Sequence, residues 1–221
     1  MRITTKLFDA SIEINDEEVF ELVIENHRVL YSFLSDIYSQ LQGNEGDTVL
    51  SDNDDIIKIS KKVELITNYI PFDLNEKRLI TKIQGLLEKE ALNADNFQKT
   101  MTILADIERY VYGLSELFPY ELDFKGISAA ALIKMCGLVI VDDSISAIER
   151  IYNYMTIVRE LLGEKLFIFS NMRSYFSDDD IQEFIDTIID HKFNVLMIEN
   201  SDRKRVNKTR KMIIDNDLCI I

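Results

Sequence analysis

The sequence predicts an α/β fold: a mostly parallel sheet head built from both ends of the chain, with an extended α-helical leg inserted between them. Three observations carry this. In the last third, three nearly continuous apolar runs (residues 137–141, 165–170 and 193–199) alternate with two amphipathic patterns, as strands buried on both faces and their crossover helices should. Residues 74–117 carry apolar stripes at helical spacing and no strand pattern. The first seventy residues mix short strand candidates with one helix. The predicted division is a discontinuous head, 1–72 with 136–221, and a leg, 73–135.

Taken in order, residues 2–7, 12–14 and 19–24 are strand-like, and 27–41 place Val29, Leu30, Phe33, Leu34, Ile37, Tyr38 and Leu41 on one helical face. A polar loop at 43–47 follows, then a strand at 63–70 that Pro71 ends, because proline cannot continue a ladder. In the leg, Leu79, Ile80, Ile83, Leu86 and Leu87 form one stripe, while Phe97, Leu104, Ile107, Val111, Leu114 and Phe118 form a second at near-heptad spacing. Asn93 to Asn96 supplies a turn, so the two helices should pair antiparallel and leave apolar residues for self-association. Beyond the leg, Ile145, Ile148, Ile151, Tyr152, Met155 and Val158 mark one crossover helix; Ile181, Phe184, Ile185, Ile188 and Ile189 mark the other. Ser177 before Asp178, Asp179 and Asp180 reads as an N-cap with carboxylates at the positive end of the helix dipole, rather than a metal site.

Composition narrows the function. With 221 residues and 47% apolar side chains, a sizeable core is available without disulfides, and only seven Gly and two Pro favour long helices. Cys136 and Cys219, far apart with no CxxC spacing, fit a reducing cytosol and are expected in the core. No signal peptide or membrane-length apolar run is present, which places the chain in the cytoplasm. A net charge of −14 argues against the usual route to nucleic acid, a globally basic surface.

The motifs for common catalytic chemistry are missing. The glycines match neither GxxxxGK[ST] nor GxGxxG, so no loop brings backbone amides against phosphate, and ATP hydrolysis is unsupported. Residues 195–198 ending in Glu199 resemble a hydrophobic strand with a magnesium-holding acid, but that pattern alone is weak and a buried strand end explains them better. His27 and His191 read as helix-end residues, and the pairs Asp54–Asp55 and Asp142–Asp143 as solvated surface without EF-hand spacing. More suggestive are Glu116, Glu121 and Asp123, which lie where the second leg helix must end before Pro119 and where irregular backbone could offer carbonyls to calcium. The basic exception is Arg203, Lys204, Arg205, Lys208, Arg210 and Lys211, six cations in nine residues, leaving 19 cations against 39 acids elsewhere. Such a cluster could contact phosphates, meet an acidic surface of a neighbouring subunit, or form a solvated helix face.

Several stretches together carry a family resemblance: Met1, Arg2, Ile3 and Leu7 with Ile12, Glu13 and Ile14; Ala131 to Lys134 with Gly137; Glu164 to Asn171; and Val195 to Glu199. In this order they resemble the small CRISPR-associated adaptation protein of type II-A systems, the ring-forming subunit that binds DNA ends. The resemblance implies a homotetrameric ring of degenerate nucleotide-binding-like heads with helical legs, encircling double-stranded DNA, without catalytic residues and with calcium between head and legs. It also implies spacer acquisition alongside the integrase subunits and the RNA-guided nuclease. Glu121 and Asp123, with Glu116 nearby, retain acids of the calcium-related stretch, whereas Leu117, Pro119 and Lys125 depart from its more acidic pattern. Candidate phosphate contacts on this reading are Lys77, Arg78 and Lys82 together with the six cations between Arg203 and Lys211. The rival readings are a nucleotide-using or phosphoryl-transfer enzyme on an α/β fold, and a helical oligomeric scaffold with no nucleic-acid role.

Overall fold

A computed structural model describes residues 1–53 and 55–221; of the acidic pair at 54 and 55, Asp54 lies outside the described residues. The chain divides into two compact units, one of residues 1–72 with 144–221 and one of residues 73–143.

In the first unit, β1 (Arg2–Thr4) and β2 (Ser11–Glu13) precede β3 (Val19–Ile24) and α1 (His27–Leu41). Then follow β4 (Val49–Asp52), β5 (Asp55–Ile57), a single turn α2 (Ile59–Lys62) and β6 (Val63–Ile66). After the inserted unit come α6 (Ala147–Leu162), β7 (Leu166–Ser170), a 3-10 turn (Met172–Ser174), α7 (Asp178–Asp190), β8 (Asn194–Glu199) and β9 (Thr209–Ile214). The strands form an antiparallel sheet in the order β2-β1-β4-β5 and a fully parallel sheet in the order β6-β7-β8-β3-β9.

The parallel sheet is buried on both faces, which is why β3, β7 and β8 read as apolar runs rather than alternations. One face packs Phe20, Leu22, Ile24, Ile168, Leu196 and Ile198 against Leu30, Phe33 and Ile37 of α1. On the other, Phe169 meets Phe184 of α7 edge to face, centroids 5.4 Å apart. Each such side chain contributes about 2 kcal/mol by leaving water. Helix α1 begins at Asn26, whose side chain accepts from the amides of Arg28 and Val29. Helix α7 begins at Ser177 with a reciprocal capping box to Asp180, as the acidic triplet predicts.

The second unit contains α3 (Lys77–Ala91), α4 (Phe97–Ser115) and α5 (Ala129–Met135). The turn at Asn93 to Asn96 is present, with Asn96 N–H donating to Asn93 Oδ1 at 2.9 Å; the Asn96 amide group reaches back to the Glu90 carbonyl rather than capping α4. Helix α5 packs chiefly against α3 and also against α4. Only Leu74, Leu79, Leu104 and Ala129 are buried apolar side chains here, while Leu87, Met101, Tyr110, Leu117, Phe118 and Val141 stay exposed.

Two expectations are corrected. The apolar run 137–141 is not a strand: Gly137 turns the chain at φ +64, Val139 and Val141 face solvent, and the Ile140 backbone satisfies both its groups on the Asn75 side chain instead of a ladder. The parallel sheet also contains β9, whose first three residues, Thr209 to Lys211, lie in the basic cluster, and those charges hide it. Both cysteines are exposed: Cys136 at the end of α5 and Cys219 in the turn after β9 lie outside the packed faces that would have covered them.

Candidate nucleic-acid interface

The six clustered cations do not share a helix face. They occupy the connection from β8 to β9 and the first half of β9, an edge strand, where charged side chains discourage further pairing. Strand alternation then separates the last two. Lys211 stands opposite Glu21 on one face, while Arg210 stands opposite Phe20 on the other, its guanidinium carbon 5.7 Å from the Phe20 ring centroid.

Several of the cations are committed to holding the segment together. Lys211 Nζ donates to Asp202 Oδ1 at 2.7 Å and to the Arg203 carbonyl, and stands 3.5 Å from Glu21 Oε2. Arg205 donates through Nε and Nη2 to the Thr209 carbonyl at 3.1 and 2.6 Å. Lys208 pairs with Asp186 of α7 at 2.8 Å, and that hydrogen bond raises the lysine's pKa and lowers the aspartate's. Arg203 donates to Ser174 Oγ at 3.3 Å. Arg203, Lys204 and Arg210 are exposed and have no ion pair among the described residues.

Beneath the segment lies a buried charge network that sequence reasoning missed. Arg173, on the 3-10 turn after β7, is 2% exposed. Its Nη1 donates to Glu21 Oε1 at 2.7 Å, and its Nη2 donates to Asp178 Oδ1 at 2.7 Å and to the Lys204 carbonyl at 2.6 Å. Burial opposes the guanidinium's charge, but the hydrogen bonds to Asp178 and Glu21 outweigh it and leave the pKa above its usual value. The same bond holds the Asp178 carboxyl below its ordinary range. Glu199, fully buried at the end of β8, accepts the Arg173 backbone N–H on Oε1 at 3.1 Å, while its Oε2 has no hydrogen-bond partner among the described residues. Desolvation raises its pKa to about 7, with the nearby Glu21 charge adding to the effect. The available signal was Glu21 itself, the lone charge in the run Val-Phe-Glu-Leu-Val-Ile, since a buried strand tolerates a carboxylate only with a buried partner.

In the second unit, Lys77, Arg78 and Lys82 are exposed on α3, and Arg78 Nε donates to Glu76 Oε2 at 2.6 Å. Lys77 and Arg78 occupy the first turn, where the helix dipole disfavours cations, so helix stability does not account for them. Glu116 caps the end of α4, and Glu121 and Asp123 follow on exposed irregular backbone, Asp123 Oδ1 accepting the Phe124 N–H at 2.8 Å. Among the described residues no three His, Cys, Asp or Glu side chains are grouped to hold a metal ion.

The nucleotide reading finds no phosphate loop after β3. A phosphate loop would lie between β3 and α1, but only Glu25 and Asn26 connect them, and Asn26 itself takes the free amides of α1. Glu199 is the buried strand end the sequence allowed, not a solvent-facing acid. His27 and His191 are both at helix ends, His191 Nδ1 lying 2.9 Å from the Thr187 carbonyl oxygen. No helix among the described residues is long and apolar enough to cross a membrane.

Comparison with known proteins agrees with the resemblance. A family model described as CRISPR-associated protein (Cas_Csn2) matches residues 40–218. The CRISPR-associated protein Csn2 of Enterococcus faecalis is 28% identical over 208 residues, covering 90% of both chains. That of Streptococcus agalactiae is 22% identical over 228 residues, covering 100% of this chain and 97% of the relative. Among solved structures, Stu0660 of Streptococcus thermophilus shares the fold, with a TM-score of 0.58 at 14% identity over 96% of this chain and 74% of that one. With its parallel-sheet unit, its inserted helices and a family match running from α1 into the segment after β9, the chain belongs to the Cas_Csn2 family of CRISPR-associated proteins.

Proposed function

We propose that this protein is a non-catalytic clamp for double-stranded DNA ends, sequence-independent and calcium-dependent, that assembles as a homotetrameric ring and serves CRISPR spacer acquisition with the integrase subunits and the RNA-guided nuclease. The observation that carries the DNA reading is the pair Arg203 and Lys204, exposed and without an ion pair among the described residues, on a segment whose backbone is anchored from below. Lysine and arginine neutralise phosphates without reading bases, and each phosphate engaged releases counterions. A ring adds topology: it loads only at an end and then slides, so an acidic exterior does not prevent it from gripping DNA within. Self-association is favoured by the second unit, which buries four apolar side chains of its own and exposes many more. Calcium belongs to the reading as an ion that Glu116, Glu121 and Asp123 would hold together with backbone carbonyls, and no step is routed through it.

The deciding experiment is a gel shift comparing linear with covalently closed duplex, in calcium and then in chelator. A threading ring retards the linear form alone. Equal retardation of both forms refutes threading, and retardation of neither favours the helical scaffold, whose support is the −14 charge and the exposed apolar second unit.

A further inference from the structure

The connection from Asn200 to Lys208 contains no helix or strand, yet it carries four of the six clustered cations. Ordering such a segment costs about 1–2 kcal/mol per residue in backbone entropy, and its like charges repel one another. It therefore needs anchors within the folded unit: the Val206 carbonyl accepts from Thr209 Oγ1, the Lys208 carbonyl accepts the Val19 N–H, and long cationic side chains hold three more carbonyls in or beside it. The Arg203 carbonyl is held by Lys211, the Thr209 carbonyl by Arg205, and the Lys204 carbonyl by Arg173.

Arg173 is unlike the other two cationic anchors. It lies outside both the segment and β9, it is among the largest fully buried side chains of the described residues, and it draws its partners from three separate elements: Glu21 of β3, Asp178 in the first turn of α7, and the Lys204 backbone. A buried ion pair is a poor way to gain stability, because desolvation offsets most of the attraction and an apolar side chain could fill the same space. What a planar, forked guanidinium supplies that an apolar side chain cannot is simultaneous, directional fixing of several acceptors. Two of those acceptors are carboxylates that hold the fork; the third is the one point at which the fork meets the basic segment.

We propose that Arg173 is the positioning residue of the basic segment: its fork, set by Glu21 and Asp178, holds the Lys204 carbonyl so that Arg203 and Lys204 present their charges at a fixed spacing. Arg173 is itself inaccessible to DNA and acts through these two residues. The inference rests on the DNA-binding reading above.

The test is the salt dependence of full-length protein binding a linear duplex, followed by fluorescence anisotropy between about 50 and 200 mM salt. In the R203A/K204A variant, loss of two phosphate contacts per subunit lowers the slope of log K against log salt by about 1.8 for each subunit engaged, or about 7 for a tetramer that engages all four. Arg173→Met should lower it comparably, and adding R173M to R203A/K204A should cause little further loss, since both remove the same contacts. Arg173→Lys keeps the charge beside Glu21 but cannot also reach the Lys204 carbonyl, so it should fold and still show a reduced slope; it decides the matter if R173M does not fold. A folded R173K or R173M protein with the wild-type slope overturns the proposal, as does a loss that is additive with R203A/K204A. If R203A/K204A itself keeps the wild-type slope, the segment is not the interface and the proposal fails while DNA binding stands. If the wild-type protein ignores duplex at every salt concentration, it is the DNA-binding reading that fails.

Discussion

Glu199→Gln should remove a pH dependence of stability that the wild-type protein carries through neutrality. In the unfolded chain this carboxyl releases its proton near the usual 4.5, whereas burial in the folded protein delays release to about pH 7. Between these values the folded state binds the extra proton, so stability falls as pH rises, by about 1.4 kcal/mol per unit, and levels off above 7. The whole interval amounts to about 3 kcal/mol. The carboxyls with depressed values, Asp36, Asp178, Asp180, Asp186 and Asp202, act the other way: their stabilisation is present above the ordinary aspartate range and lost below it, outside this window. Because the isoelectric point is near 4.6, urea midpoints are best measured from about pH 5.5 to 8.5 at one protein concentration. Over that range the stability difference between E199Q and wild type should shift by about 2 kcal/mol in favour of the variant. Any constant cost of placing an amide beside the Arg173 N–H cancels in that comparison. Parallel curves for the two proteins would show that Glu199 ionises equally easily folded and unfolded, and the argument from its burial would fail.

Two further expectations concern ion pairs and calcium. Glu21→Ala strips Arg173 of its buried carboxylate and should cost about 3–5 kcal/mol by urea denaturation, whereas Lys208→Ala breaks a half-exposed, solvent-screened pair and should leave the midpoint close to wild type. Equal effects would mean that burial does not set the worth of these pairs. Calorimetric titration with calcium should give binding heat that Glu121→Gln with Asp123→Asn removes; a wild-type protein with no calcium heat takes the ion out of the proposed function.

Legibility in the sequence followed how local each signal was. Strand β3 and helix α1 have the boundaries their patterns predict, because an apolar run and a 3.6-residue period are both contained within the element. The Ser177 cap was readable for the same reason: donor and acceptor lie three residues apart. The run at 137–141 misled because continuous apolarity shows only that a segment could be buried in a sheet, not that a neighbouring strand exists to pair with it. Helix α5 went unread because seven residues are too few to display a period. Lone Glu21 was visible, but its partner Arg173 is 152 residues away, and nothing in the spacing joins them.

The basic cluster shows how far charge counting reaches. Six cations in nine residues imply a patch, yet folding divides them by role: Lys211 and Arg205 fasten backbone carbonyls, Lys208 neutralises Asp186, and Arg210 turns to the opposite face of β9. What remains of the patch is Arg203 and Lys204, and the charge that fixes their place, Arg173, lies outside the cluster. The number of phosphates this segment can engage is therefore nearer two than six. For a protein with 39 acids, that small count has a consequence: two contacts per subunit change affinity by only about tenfold between 50 and 200 mM salt, whereas eight per tetramer would change it by about four orders of magnitude. If the proposed ring is right and this segment is its main phosphate contact, tight, steeply salt-dependent binding rests on the assembly, and a mutation that breaks it should weaken DNA binding by orders of magnitude without touching a single basic residue.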